Sequence, residues 1–520
     1  MAGYATIDLT SSPPQIALPR LYNASIDLVD RHVAEGRGAR VAIIDDERTT
    51  TYEQLASLVA RAAGVLAALG VQPEQRVALC MVDGVDFVAA FLGAIRLGAV
   101  PVPLNTLLTT DDYRYLVADM RAQVAIVSDC LLPKVAPAIA GVRIVACPSA
   151  LGGSTGTYPD WRAMCAFAAP APPAPTTPDD VAFWLYSSGS TGKPKGAMHL
   201  QSSLIQTAAL YAMPVLGIRE DDVVFSAAKL FFAYGLGNAL TFPLSVGACA
   251  VLMAERPTPA AVIRTLTKHR PTIFCGVPTL FASLLSDASL APVDRLRVST
   301  SAGEALPAHV GERWRAKMGT DILDGIGSTE MLHIFLSNRP GDIAYGTTGR
   351  AVPGYDLELR GDDGRGVDVG EEGSLWVRGP TACIGYWNDR ARSLATFHGP
   401  WSRSGDRYSR DAAGRYTFCG RADDMLKVGG IWVSPFEVES ALAAHEAVLE
   451  AAVVGHEDAD GLTKPKAFVV LKPNATVAPE ALQAFVKQRL APFKYPRWVE
   501  LVAELPKTAT GKIQRFKLRG

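Results

Sequence analysis

The segment Tyr186-Ser-Ser-Gly-Ser-Thr-Gly-Lys-Pro-Lys-Gly196 gathers hydroxyls, glycines and two lysines directly after the apolar run 181–185. Glycines let a backbone turn tightly and aim its N–H groups at an anion. Ser187, Ser188, Ser190 and Thr191 add hydroxyl donors, and Lys193 and Lys195 add positive charge. Such a loop suits a polyphosphate. It is not a Walker A loop, which needs G-x4-G-K followed by Ser or Thr: Gly189 and Gly192 stand closer than that, and Pro194 follows Lys193. Taken by itself, this composition equally describes a flexible surface connection.

Further strings along the chain carry chemistry of the same kind. Ala302-Gly303-Glu304-Ala305 follows an apolar, hydroxyl-rich segment. In Asp324-Gly325-Ile326-Gly327-Ser-Thr329-Glu330, Thr329 offers a hydroxyl to phosphate, and Glu330 offers a hard carboxylate oxygen for Mg²⁺. Ser404-Gly-Asp406 puts a carboxylate after a turn. The run from Gly420 to Gly430 contains Arg421, Asp423 and the pair Gly429-Gly430, and Pro506 to Ile513 contains Lys512. Each string alone has a plain structural reading: a strand-to-helix turn, a loop, a β-turn with surface charges, a solvated lysine.

Together, and in this order, the strings resemble the signatures of the acyl-adenylate-forming superfamily of acyl-CoA synthetases, luciferases and peptide-synthetase adenylation domains. The resemblance implies ATP, Mg²⁺ and coenzyme A. It implies that residues 187–193, with Gly303, Glu304 and Ala305, with Asp324, Gly325, Ile326, Gly327 and Thr329, and with Asp406 and Arg421, bind the nucleotide, and that Gly429 and Gly430 pass close to a pantetheine arm. Asp406 would hold the ribose, Asp423 would be the hinge residue, and Lys512, Glu330, Thr191 and Lys195 would carry catalysis. Many relatives have an aromatic residue where Ile326 stands, so adenine would here meet aliphatic packing.

The implied chemistry needs no general base, because a carboxylic acid is already ionised at pH 7. Its carboxylate attacks the α-phosphorus of ATP, pyrophosphate leaves, and a thiol then displaces AMP. His199 lies near the phosphate loop, but a lone histidine is more often structural. The aromatic, Gly-rich stretch Lys229 to Asn238 and the stretch Thr329 to Phe335 resemble the benzoate-CoA ligase branch. By that resemblance Ala233, Tyr234, Ala302, His333 and Ile334 line the acyl pocket, and closely set rings favour a short planar acid over a long chain. His333 could donate to the substrate carboxylate or cap a helix, and at least one of Phe231, Phe232 and Phe335 is expected to be core. The reading is thus an AMP-forming aryl-CoA ligase. Its alternatives are a 4-hydroxybenzoate- or aminobenzoate-CoA ligase and an aryl-adenylating enzyme that loads a carrier-protein thiol. The end of the sequence at Gly520 leans towards free CoA. A luciferase-like oxidation and a non-catalytic nucleotide-binding module are disfavoured, the latter by Lys512 and Glu330.

The elements that must position these residues follow from pattern. With 520 residues the chain is too long for one core. Net charge of −1 gives no reason for nucleic-acid or anionic-membrane binding. The eight cysteines contain no C-x-x-C pair, and no signal peptide or membrane span is visible, which points to a cytoplasmic protein, monomeric or homodimeric. Thr51 to Gln54 reads as a capping box, and apolar runs at 77–81, 99–102, 124–127 and 143–146 alternate with helical patterns, predicting an α/β fold with a mainly parallel sheet. After the Pro- and Ala-rich connector 168–178 the β/α pattern is expected to resume to about residue 335. Short strands and Gly/Asp turns over 346–419 predict a β-rich subdomain such as a small barrel. The last hundred residues read as a small, mobile α+β domain. The expected division is a large domain, 1–420, and a small domain, 421–520, with the hinge near 421–424.

Overall fold

The computed structural model describes residues 3–187, 193–422, 424–428, 431–458, 462–490, 494–507 and 513–519. Local sequence decides where its helices begin. Thr51 accepts the Gln54 N–H at 3.3 Å, and the Gln54 side chain accepts the Thr51 N–H at 2.9 Å. This closed capping box starts the helix Tyr52–Ala68, whose buried face includes Leu55, Val59, Ala62 and Leu66. That helix packs beside Val85–Arg96, which is buried along its whole length.

Two sheets build the large domain. Four strands run parallel in the order Val100–Pro103, Arg76–Cys80, Val124–Ser128, Arg143–Cys147. Nine strands form the second sheet. Its six central strands, from Ile322–Gly327 through Val298–Ser301, Ile273–Gly276, Val223–Ser226 and Cys249–Val251 to Val41–Ile44, are parallel, and the remaining joins at its two edges are antiparallel. The four-stranded sheet is buried on both faces almost throughout, which explains why its strands read as apolar runs.

The chain departs from the expected β/α alternation at the phosphate loop. Val181–Ser187 and Lys195–Leu200 pair antiparallel, with Ser187 opposite Lys195, so the strand before the phosphate segment is followed by a paired strand instead of a helix. The 346–419 region is β-rich as expected, but it is not a barrel. Asp356–Arg360, Glu372–Arg378, Phe397–His398, Trp401–Arg410 and Tyr416–Arg421 form a five-stranded antiparallel sheet whose pairings do not close into a ring among the described residues.

The C-terminal region has its own core of Leu426, Val433, Val438, Leu442, Val453, Val469, Leu482 and Val486. It folds as the sheet Val448–Glu457, Thr463–Leu471, Trp498–Leu501 with the helices Pro435–Ala443 and Pro479–Lys487. No helix among the described residues is long and apolar enough to cross a membrane.

Candidate active site

The sites foreseen at Ser188, Gly189, Ser190, Thr191, Gly192, Asp423, Gly429, Gly430 and Lys512 lie outside the described residues. The others fall into three groups.

The first group surrounds Glu330, on the loop after Ile322–Gly327. Its Oε1 accepts the Tyr386 hydroxyl at 2.7 Å and the Ser187 hydroxyl at 3.3 Å, with Lys195 Nζ also at 3.3 Å. Lys195 in turn donates to Tyr386 Oη at 2.7 Å. Burial works against the Glu330 charge, yet Lys195 and the Tyr386 hydroxyl together hold the carboxyl below its ordinary range. The loop is pinned through its backbone as well. Cys383 N–H donates to the Glu330 carbonyl at 2.7 Å, Thr381 Oγ1 donates to the Met331 carbonyl at 2.8 Å, and His199 Nε2 lies 2.8 Å from the Thr329 carbonyl. Because a carbonyl only accepts, His199 carries its proton on Nε2. Burial lowers its pKa to about 4, so it is a neutral structural ring, as a lone histidine usually is.

Tyr386 was not visible as a site residue. Its segment zips onto the hairpin: Met198 N–H donates to Gly385 O, Ile384 N–H to Met198 O, and Trp387 N–H to Gly196 O. Only that long-range pairing puts the hydroxyl between Lys195 and Glu330. Lys193 sits farther out, with its ammonium 4.8 Å over the Tyr115 ring.

The second group faces the nucleotide strings. Ala302 is buried beyond Val298–Ser301, and Gly303 adopts φ +94°, which turns the chain towards Glu304 and Ala305. Asp324 lies opposite Ser301 in the neighbouring strand. Burial pushes its carboxyl well above the usual range, against the N–H groups of Leu306 and Gly325. Gly325, Ile326 and Gly327 continue that strand, and Ile326 packs against the central apolar cluster. Asp406 and Arg421 face each other across paired strands, with Nη1 3.0 Å from Oδ1, so the expected ribose residue and an expected nucleotide residue meet.

The third group is a cluster of rings. Tyr234, at the start of the helix Ala233–Leu236, shares a 2.6 Å hydrogen bond with Thr300 Oγ1. His333 is 2% exposed; its ring lies 5.6 Å from Tyr234, 5.6 Å from Tyr211 and 4.5 Å from Phe242. Gly237 makes room for it: a Cβ there would fall 2.2 Å from His333 Cδ2. Ala302 and Ile334 belong to the same buried cluster, whereas Ala233 packs against the N-terminal core. Phe335 is core, fully buried and 6.4 Å from the Tyr355 ring. Tyr211, Phe242 and Thr300 escaped the sequence reading, because apolar rings and a strand threonine carry no motif.

His333 makes one described polar contact, to the backbone at the start of the helix Ala233–Leu236. Its Nε2 lies 3.3 Å from the Tyr234 carbonyl, so Nε2 holds the proton and Nδ1 can only accept. Burial drives its pKa down to about 3.

The chain matches the model of the AMP-binding enzyme over residues 30–387 and that of the AMP-binding enzyme C-terminal domain over residues 437–512. It is 57% identical to a benzoate–CoA ligase of Thauera aromatica over 98% of both chains. It is 50% identical to a 4-hydroxybenzoate–CoA/benzoate–CoA ligase of Rhodopseudomonas palustris, over 96% of this chain and 94% of that one. Among solved structures, a benzoate CoA ligase from Burkholderia xenovorans LB400 superimposes with a TM-score of 0.90 at 53% identity, covering 96% of this chain and 100% of that one. With its charged corner, nucleotide strings and two-domain α/β architecture, the chain belongs to the AMP-binding enzyme family.

Proposed function

We propose that this protein is an AMP-forming aryl-CoA ligase that converts benzoate or a close ring analogue, ATP and CoA to aryl-CoA, AMP and pyrophosphate. The observation that carries the reading is the neutral cluster of rings formed by Tyr234, His333, Tyr211 and Phe242, next to the charged corner of Lys195, Glu330 and Tyr386. A flat apolar acid fits such walls, while its carboxylate points towards the phosphate end.

In the first half-reaction the benzoate oxygen bonds to the α-phosphorus and the bond to the pyrophosphate oxygen breaks, giving benzoyl-AMP. Charge accumulates on phosphoryl oxygens, so fixed cations dominate the rate. Lys195 supplies one, and Lys512 is assigned the bridge between carboxylate and α-phosphate. Glu330 is the residue that would hold Mg²⁺. It is a carboxylate kept ionised by Lys195, and Oε1 takes all of its described contacts, which leaves Oε2 for a hard cation. Bound there with ATP, Mg²⁺ would neutralise phosphate charge. In the second half-reaction the CoA sulfur attacks the acyl carbon and AMP leaves.

The same reading assigns residues 1–420 to the large domain and 421–520 to the small one, with Asp423 as hinge. In support, Ala422 N–H still bonds Gly405 of the large domain at 2.9 Å, whereas Asp424 already pairs with Arg515 and Arg519 of the small domain. A cytoplasmic monomer or homodimer goes with it, all eight cysteines being unpaired.

The test is AMP formation with ATP, Mg²⁺ and CoA over benzoate, 4-hydroxybenzoate, 2-aminobenzoate, cinnamate, acetate and octanoate. Turnover confined to benzoate and its small ring analogues is expected. Preference for octanoate or acetate would overturn the pocket assignment while leaving the adenylation chemistry.

A further inference from the structure

A loop outside every motif reaches the wall of the acyl pocket. Asp83 follows the strand Arg76–Cys80, and its side chain is 4% exposed. Its two oxygens accept the Leu230 N–H at 3.2 and 3.4 Å. Lys229 Nζ stands 3.9 Å from Asp83 Oδ2 and donates to the Met253 carbonyl. Lys229 and Leu230 open the aromatic stretch that leads to Tyr234. Phe232 N–H donates to the Lys229 carbonyl at 3.0 Å, so the placement of Lys229 passes directly into the turn before the helix Ala233–Leu236. Thr300 and His333 hold the far end of this wall.

A buried ion pair is a weak source of stability, but breaking it strands a charge. Among the described residues the pair makes no hydrogen bond or ion pair with the nucleotide strings, and it anchors a segment that leads to Tyr234. The geometry points to Asp83 as a positioning residue for the aryl-acid wall, acting through Lys229 and the Leu230 N–H. This inference rests on the aryl-acid reading of the Tyr234–His333 pocket.

The surrounding charges define how the pair responds to pH. Burial, the largest cause, lifts the Asp83 carboxyl to about 6. Lys229 and the Leu230 N–H oppose it, and Asp46 adds to it. Burial likewise lowers Lys229, against Asp83, Asp46 and Glu255. Asp45 is taken up by the Val85 N–H, Asp86 by Arg48 and Arg162, Glu47 by Arg162, and Glu255 by Arg264. As pH falls through about 6, Asp83 gains a proton and Lys229 is left buried without its counter-charge. The wall then loses one anchor. Benzoate itself stays ionised, since ordinary carboxyls titrate near about 4.

The experiment measures KM for benzoate and for ATP from about pH 5 to about pH 8, in the wild type, in Asp83→Asn and in Asp83→Asn/Lys229→Met. In the wild type, benzoate KM is expected to rise about fivefold below pH 6 while ATP KM does not follow. Asp83→Asn should show a raised benzoate KM, by about tenfold, at every pH and no such limb. The double variant, which removes both charges, should recover most of that loss. The inference is overturned if Asp83→Asn keeps the wild-type benzoate KM or the wild-type limb. Should that variant not fold, the wild-type profile decides: a limb absent, or shared equally by ATP KM, contradicts it. A wild type that does not turn over benzoate at all refutes the aryl-acid reading itself, which is a separate outcome.

Discussion

Glu330 and His333 lie on one short loop, the first half-buried and the second buried, yet desolvation ends differently for them. At Glu330 an ammonium and a phenol converge on one carboxylate oxygen, and the acid stays charged. At His333 the neighbours are three rings and a carbonyl, and desolvation wins, with the pKa near about 3. The loop therefore carries the boundary between a charged corner and a neutral cluster of rings, which the proposed function assigns to phosphate and to the aryl acid. Desolvation alone does not set the charge state; the partner does.

The largest expected effect lies at the charged end. Lys512→Ala should lower adenylation by about 10³-fold, the cost of a lost transition-state charge partner, while sparing transfer from supplied benzoyl-AMP to CoA. Equal loss in both half-reactions, read by pre-steady-state assay, would contradict the assignment of Lys512 to the first step. Glu330→Gln keeps the shape and removes the charge. Its kcat should fall about 10²-fold, with a raised Mg²⁺ requirement and little change in benzoate KM. A change confined to benzoate KM would erase the boundary just drawn. Tyr386→Phe deletes the hydroxyl between Lys195 and Glu330. About a tenfold rise in the Mg²⁺ concentration at half-maximal rate is expected, with unfolding temperature nearly unchanged. The smallest effect is at the neutral end. Imidazole NMR should show His199 and His333 neutral down to about pH 5. For both, the folded pKa lies below the unfolded one. Each therefore subtracts stability as pH falls from about 6.5 towards its own value, because the unfolded chain takes up the proton first. An imidazolium signal from His333 near neutrality would mean that the pocket is wet.

Legibility followed the same division. Lys195 and Glu330 could be read because charge, hydroxyl and glycine spacing mark them, and the capping box at Thr51 and the parallel strands could be read because their signals are local. Tyr386 could not, since its role depends on a segment pairing with a strand nearly two hundred residues earlier. Thr300, Tyr211 and Phe242 were hidden for a related reason: their neighbours come from separate strands and helices. The phosphate hairpin was read as part of a β/α run because Lys195–Leu200 mixes Gly, Met and His without alternation. The open sheet was taken for a barrel because its longest strand, Trp401–Arg410, is dominated by Ser, Arg and other polar residues that hide its length.

The most direct test of the central claim is benzoate-dependent exchange of labelled pyrophosphate into ATP with CoA left out. The account predicts exchange with benzoate alone and benzoyl-AMP recoverable from the enzyme. Exchange that requires CoA, or none with any aromatic acid, would contradict it.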